Sequence, residues 1–381
     1  MKNKAEIVII GGGVIGTSIA YHLAKRGISD IVLIERNFLA SGATGRCGGG
    51  MRQQWSTKSN VLLAKHSVSE FKNFKETMEQ DIEYRQGGYL LPAFTDDMME
   101  ELKKNVTLQN SLDVNTRMVS PEEIKEISPI LNTSDMIGGS FGPTDAVANP
   151  FLTTKGYADN ARKLGVEINL RTSVKGFDHE NGKITRVRTD RGDIETKYVI
   201  NAAGAWAARI GEMLGLDIPV KPYRHQILVT EPVEIIHPCM VIDLYHNIYF
   251  SQAQEGAFIS GQTDKSEPSG YNIRNNSRFI VELARKLSYY APVLRNIKVV
   301  RQWAGLYAVT PDAQPIIGTI EPFDNFICSV GFSGHGFMLA PAGARLISDF
   351  ITKGKSELAD IQEMSIKRFE SGKITKEKNV V

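Results

Sequence analysis

The sequence predicts an α/β protein: a doubly wound, Rossmann-like dinucleotide-binding domain interrupted by an α+β unit on an antiparallel sheet. Three observations carry that expectation. The apolar run Glu6-Ile7-Val8-Ile9-Ile10 leads straight into Gly11-Gly12-Gly13-Val14-Ile15-Gly16. Strand–helix alternation then fades, and returns at about 157–200 and again at 315–352. Between the last two, residues 220–305 hold short alternating segments of the kind that pair antiparallel.

Length and composition agree. The 381 residues exceed the roughly 250–300 at which one core stops growing. With 42% hydrophobic and 23% charged residues the chain can fold. A net charge of +2 argues against nucleic acid or an anionic membrane as partner. Apolar runs such as Ile7–Ile10 are far short of the roughly 20 residues of a membrane helix. Met1–Lys4 lacks the apolar core of a secretory signal, so the expected location is cytoplasmic. Cys47, Cys239 and Cys328 are odd in number and widely spaced, which predicts no disulfide framework and no metal site.

In chain order, Glu6–Ile10 reads as a strand buried on both faces. Val14–Arg26 carries Ile15, Ile19 and Leu23 on one helical side and stops at Gly27, and Ile31–Ile34 is the next strand. Residues 40–56 form a loop rich in glycine and small polar residues, and 58–79, 96–110 and 121–127 are helices. After a helix at 156–165, a strand meander ends at Tyr198–Ala202. Strands at Gln226–Thr230, Asn247–Gln252 and Ala257–Gly261 and a helix at 278–290 follow, with a last helix over Met338–Phe350 and Pro341 in its first turn. The expected nucleotide domain is 1–85, 150–220 and 310–365, and the substrate domain 86–149 and 221–309. The charged end, 366–381, reads as a surface tail.

Gly11, Gly13 and Gly16 make G-x-G-x-x-G between strand and helix, and Glu35 follows at the distance expected of a ribose-binding acid. The glycines let backbone approach a pyrophosphate, whose charge the helix N-terminus favours. This motif alone does not choose between a nicotinamide and a flavin dinucleotide. Gly331, Gly334 and Gly336 supply the choice: they let backbone approach a flat ring, ahead of a helix whose positive end would stabilise a reduced flavin.

The segments "GGGVIG…IER", "SGATGRCGGG", "VINAAGAWA", "WAGLYAVTPDAQPIIG" and "GFSGHGFMLAP" together resemble the D-amino-acid oxidase superfamily of FAD-dependent amine oxidoreductases. Within it, "RCGGGMRQQW", "KPYRHQILVTEPV" and "TKGKSELAD" are most similar to the β subunit of sarcosine oxidases and of dye-linked L-proline dehydrogenases. The resemblance covers essentially the whole chain. It implies FAD contacts at Gly11, Gly13, Val14, Ile15, Gly16, Glu35, Arg36, Ala43, Thr44, Val174 and Gly204. On the ring side it implies Gly305, Gly334, His335, Gly336, Phe337 and Met338.

The same resemblance implies a small secondary-amine amino acid as substrate, L-proline first, with sarcosine or hydroxyproline fitting the same requirement. A substrate carboxylate calls for a guanidinium fork. Relatives that have tyrosine at the position of Tyr307 carry the arginine in the early glycine loop, which makes Arg52 the expected clamp and Arg46 its rival. Tyr307 and Tyr249 would add hydroxyls or walls, His225 would line the pocket, and His335 would orient the flavin loop or touch substrate. Gly305 and Thr144 stand where relatives tether FAD or FMN covalently, so FAD is expected to be held non-covalently, with FMN at a partner-subunit interface as an additional expectation. Ala257–Ser260 lacks the lysine that activates oxygen in such oxidases, which favours transfer of electrons to a partner subunit or dye. The alternatives are an oxygen-using amine oxidase that makes peroxide, and a non-catalytic FAD-binding assembly subunit.

Overall fold

The computed structural model describes residues 1–370, 372 and 374–380. β1 (Lys4–Ile10) lies inside an eight-stranded sheet. It is flanked in parallel by β2 (Ile31–Ile34) and β11 (Ile194–Asn201). β8 (Glu167–Asn169) extends the sheet beyond β2, and β18 (Phe323–Val330) and β17 (Ile316–Ile320) extend it beyond β11. The hairpin β9 (Val174–Glu180) and β10 (Lys183–Thr189) joins through β10. The unbroken apolar run of β1 follows from burial on both sides. Ile7 and Ile9 pack into one core, with Ile19, Leu23, Leu339 and Leu346. Val8 and Ile10 pack into the other, with Val32, Val199 and Phe326.

The first core is covered by α1 (Val14–Lys25), set against α6 (Pro150–Lys163) and α9 (Gly336–Lys353). α9 starts two residues ahead of the expected Met338, so Pro341 lies inside the helix and not in its first turn. The expected helix over 58–79 is two: α2 (Lys58–Lys72) and α3 (Phe74–Met78), broken at Asn73, whose backbone leaves helical geometry.

The second sheet runs from β16 (Val299–Val309) through β12 (Lys221–Pro232), β15 (Ala257–Gln262), β14 (Ile248–Gln252) and β13 (Met240–Asp243). It continues through β4 (Tyr89–Ala93) and β6 (Gly138–Gly142) to β5 (Arg117–Val119). α8 (Ser277–Tyr290) closes one face, with Phe279, Leu283 and Leu287 over Leu228, Phe250 and Phe258. Strand β4 lies between two neighbours and is unusual in holding Pro92. It is tolerated because the β13 ladder reaches only Tyr89 and Leu90, so Pro92 has a ladder partner on the β6 side alone, opposite Gly139. α4 (Asp96–Ser111), α5 (Pro121–Ile127) and α7 (Ala207–Glu212) lie outside the sheets. β3 (Gly50–Met51) pairs with β7 (Ala146–Val147) just before Arg52. Among the described residues no helix is long and apolar enough to cross a membrane.

The end of the chain corrects the expectation of a surface tail. Within 366–381, Arg368 pairs with Asp312 at 2.7 Å, and Glu377 and Asn379 are buried. These polar side chains find buried partners, which a solvated run would not need.

Candidate functional site

A cavity of about 390 Å³ opens at the carboxyl ends of β1, β2 and β11. Gly11, Gly13, Val14, Ile15, Glu35, Arg36, Ala43, Thr44, Val174 and Gly204 line one end of it. Gly11 has φ +119° and no room for a Cβ, which would lie 2.4 Å from the Ala202 carbonyl oxygen. Gly16 does not line the cavity. Its Cβ would meet the Gly11 carbonyl oxygen at 1.9 Å, so its part is to let α1 sit on the turn. Gly13 caps α1 without a side chain, which leaves the helix mouth open to an anion.

Glu35 holds this loop together. One carboxylate oxygen accepts from the Gly12 N–H at 2.8 Å, and the other from the Asn37 N–H at 2.8 Å and Ser41 Oγ at 3.3 Å. Thr44 Oγ1 accepts from the Val14 N–H at 3.2 Å. The Arg36 guanidinium lies 3.6 Å from the Trp206 ring centre. Trp206 and Arg209 line the same end, and sequence reasoning missed both. The signal was present in "NAAGAWAARI", two residues past Gly204.

At the other end the cavity is lined by Gly305, Gly334, Gly336, Phe337, His225, Tyr249 and Tyr307. The His225 ring is parallel to Tyr307 at 4.3 Å and to Tyr249 at 5.7 Å. Strand order explains the set, since β12 runs between β16, which brings Tyr307, and β15, beyond which β14 brings Tyr249. Gly261 stands opposite Tyr249, and a Cβ there would lie 2.5 Å from the phenol ring. Gly334, at φ +96°, leaves the equivalent space for Tyr307.

A second chamber of about 80 Å³ shares Cys47, Tyr249, Tyr307, Gly334 and Phe337 with the large cavity. Arg52, His335, Met338, Tyr89, Met240 and Val380 also line it, with Ile242 and Gly48–Gly50. Arg52 is buried, 3.9 Å from the Trp55 ring centre, with Nη1 donating to the Gln54 carbonyl at 3.1 Å and Nη2 donating to the Asn379 carbonyl. Its Nε has no partner among the described residues. Arg46 lies in the large cavity and donates Nη1 to the Ala304 carbonyl at 2.8 Å, away from Arg52's chamber.

Burial sets the charge state. It pushes the His225 imidazole down to about 4 and holds His335 well below its ordinary value. It raises the Tyr249 and Tyr307 phenols well above theirs, and the Cys47 thiol to about 11. Burial also lowers Arg52, against which the negative charge of Glu377 acts. At neutral pH the chamber therefore presents neutral rings and thiol around one buried guanidinium.

The fold and the glycine-lined cavity define a dinucleotide-binding oxidoreductase architecture. The chain belongs to the FAD dependent oxidoreductase (DAO) family, whose profile matches residues 6–350. It is 28% identical to mitochondrial dimethylglycine dehydrogenase of Rattus norvegicus over 97% of its own length, but spans only 45% of that protein. To the sarcosine oxidase subunit beta of Arthrobacter sp it is also 28% identical, over 99% of this chain and 94% of that one. Among solved structures, L-proline dehydrogenase from P. horikoshii superposes with a TM-score of 0.93 at 39% identity, covering 98% of this chain and 99% of the other. Glycine oxidase from Geobacillus kaustophilus shares the fold, with a TM-score of 0.87 at 22% identity, over 96% and 99% of the two chains.

FAD fits the residues present. The Gly11 turn excludes side chains where a pyrophosphate needs backbone, and the Gly334–Gly336 turn opens the far end beneath Tyr307.

Proposed function

We propose that this chain oxidises a small secondary-amine amino acid, L-proline first, and passes the electrons to a partner subunit or dye. FAD, when bound, would supply the hydride acceptor for oxidation of the carbon next to the amine nitrogen, which leaves an imine. Gly11, Gly13, Val14, Ile15, Glu35, Arg36 and Thr44 would hold the nucleotide half, and Gly305, Gly334, Gly336 and Phe337 the ring half, without a covalent bond. Arg52 binds the carboxylate through its unpartnered Nε edge, and the aromatic walls exclude water and orient the ring. His225 and His335, neutral at pH 7, accept no charge from the site. No protein base is needed in this reading, because the substrate reacts as its free amine.

The observation that carries the reading is the single buried guanidinium in a small aromatic chamber that opens onto the glycine-lined cavity. Likeness to a named L-proline dehydrogenase over almost the whole of both chains supports it. Lys265 is exposed and outside both cavities, which supports an acceptor other than oxygen. The name "subunit beta" on full-length relatives supports a partner chain, and FMN at that interface belongs to the same proposal.

Anaerobic titration with L-proline, hydroxyproline, sarcosine and glycine, followed by flavin absorbance, tests the reading. L-proline should bleach the flavin at the lowest concentration, and Arg52→Ala should keep its colour while losing at least 100-fold in kcat/KM. Rapid reoxidation by air with peroxide release would refute the acceptor, and wild-type kinetics in Arg52→Ala would refute the clamp.

A further inference from the structure

We infer that residues 374–380 form a strap that completes the substrate chamber, latched by Glu377 so that the strap backbone holds Arg52 in position. This rests on the chamber being the substrate site. Glu377 is a positioning residue, since it reaches the chamber only through Asn379 and Arg52.

Three observations carry it. The Glu377 carboxylate is fully buried, yet among the described residues every hydrogen bond it receives from outside the strap comes from residues 56–60, at and just before the start of α2. Oε1 accepts from the Ser56 N–H at 3.0 Å and Ser56 Oγ at 2.6 Å, while Oε2 accepts from Thr57 Oγ1 at 2.8 Å and Asn60 Nδ2 at 3.0 Å. Next, the strap alternates as an extended chain does: Glu377 and Asn379 point inward, Lys376 and Lys378 outward. The inward Asn379 donates Nδ2 to the Gln54 carbonyl at 3.1 Å and accepts from Arg52 Nη2 through its own carbonyl. Finally, Val380 lines the chamber beside Arg52 and Tyr249.

Both terminal nitrogens of Arg52 are thus fixed by backbone carbonyls, one two residues and one 327 residues further along the chain, and its plane rests on Trp55. A guanidinium held this way has given up its rotamer freedom before substrate arrives, so less is lost on binding. The strap also contributes Val380 to the chamber lining. Its loss should weaken substrate binding and leave the chemical step alone.

The test compares the FAD-loaded protein with Glu377→Gln and with a deletion of 374–381. Glu377→Gln keeps the shape but turns an acceptor oxygen into a donor facing donors. KM for L-proline should rise at least tenfold in both variants with kcat within about twofold, and the dissociation constant of a non-reactive ring carboxylate, read from the flavin spectrum, should rise in parallel. Independently of any substrate, phenylglyoxal should label Arg52 in the deletion variant and not in wild type, as mapped by mass spectrometry. Unchanged KM together with unlabelled Arg52 would overturn the strap. A wild-type flavin that no secondary-amine amino acid reduces, with Arg52 labelled only after deletion, would sink the proposed substrate and leave the latch standing. Loss of kcat in step with loss of flavin would show a folding defect in place of a positioning role.

Discussion

Replacing His225 by phenylalanine turns the electrostatics of the chamber into a measurable pH slope. The imidazole lies between Tyr307 and Tyr249, and burial pushes its pKa from 6.5 to about 4. Unfolded chains take up the proton near 6.5, whereas the folded protein refuses it until about 4. Between those values the unfolded state binds more protons, so stability rises with pH there. The contribution is fully present above 6.5 and is lost as pH falls through 4. At about 1.4 kcal/mol per pH unit the full effect is about 3 kcal/mol. Phenylalanine keeps the planar ring and cannot titrate. It forfeits the contact of Nδ1 with Thr263 Oγ1, 3.2 Å away, at a pH-independent cost of about 1 kcal/mol. Urea denaturation of the FAD-loaded pair at pH 7.5 and 4.5 is the assay. His225→Phe should be the less stable protein at 7.5 and the more stable at 4.5, crossing over between. Other histidines titrate equally in both proteins and cancel in the difference. Parallel stability curves would show that the folded protein accepts the proton, and the neutral-chamber picture would be wrong.

Asp145 should give the opposite slope. Burial raises its carboxyl to about 6, against hydrogen bonds from Gln54 and Gln53. The folded state therefore holds its proton longer than the unfolded one, and about 3 kcal/mol is lost as pH rises from 3.8 through 6. Asp145→Asn should remove that loss in the same urea series, and a retained slope would refute the assignment. Gly11→Ala meets both a positive φ and a Cβ contact at 2.4 Å, so its FAD content, read as the 450 nm to 280 nm absorbance ratio, should fall at least tenfold. Gly270→Ala, with open space at its Cβ, is the control and should load fully. Gly261→Ala should push the Tyr249 ring into the chamber and lower kcat/KM about tenfold or more with FAD content intact, and wild-type kinetics would remove Tyr249 from the wall.

How far the sequence reached depends on the range over which each feature is decided. β1, the Gly11–Gly16 turn and α1 follow from a run of some twenty residues in which apolar pattern, glycine and helix spacing agree, and all were legible. The Gly331–Gly336 turn was legible too, because glycines before an apolar helix need a local cause. Pairing across the second sheet was less so. β16 ends in a mixed stretch around Gly305 that becomes strand because β12 lies along it, and β4 holds a proline beyond the two residues that β13 pairs. The strap was illegible for the same reason in its strongest form. Thr-Lys-Glu-Lys-Asn has the composition of a solvated run, and nothing near it in the chain predicts burial. Only when α2 brings Ser56, Thr57 and Asn60 together does a carboxylate gain enough donors to leave water. The clamp inherits that dependence. Arg52 was identifiable as a charge in a glycine loop, but one of the two carbonyls that hold it lies at the far end of the polypeptide. Variation in the last residues is therefore expected to act on substrate affinity as strongly as variation in the chamber walls themselves.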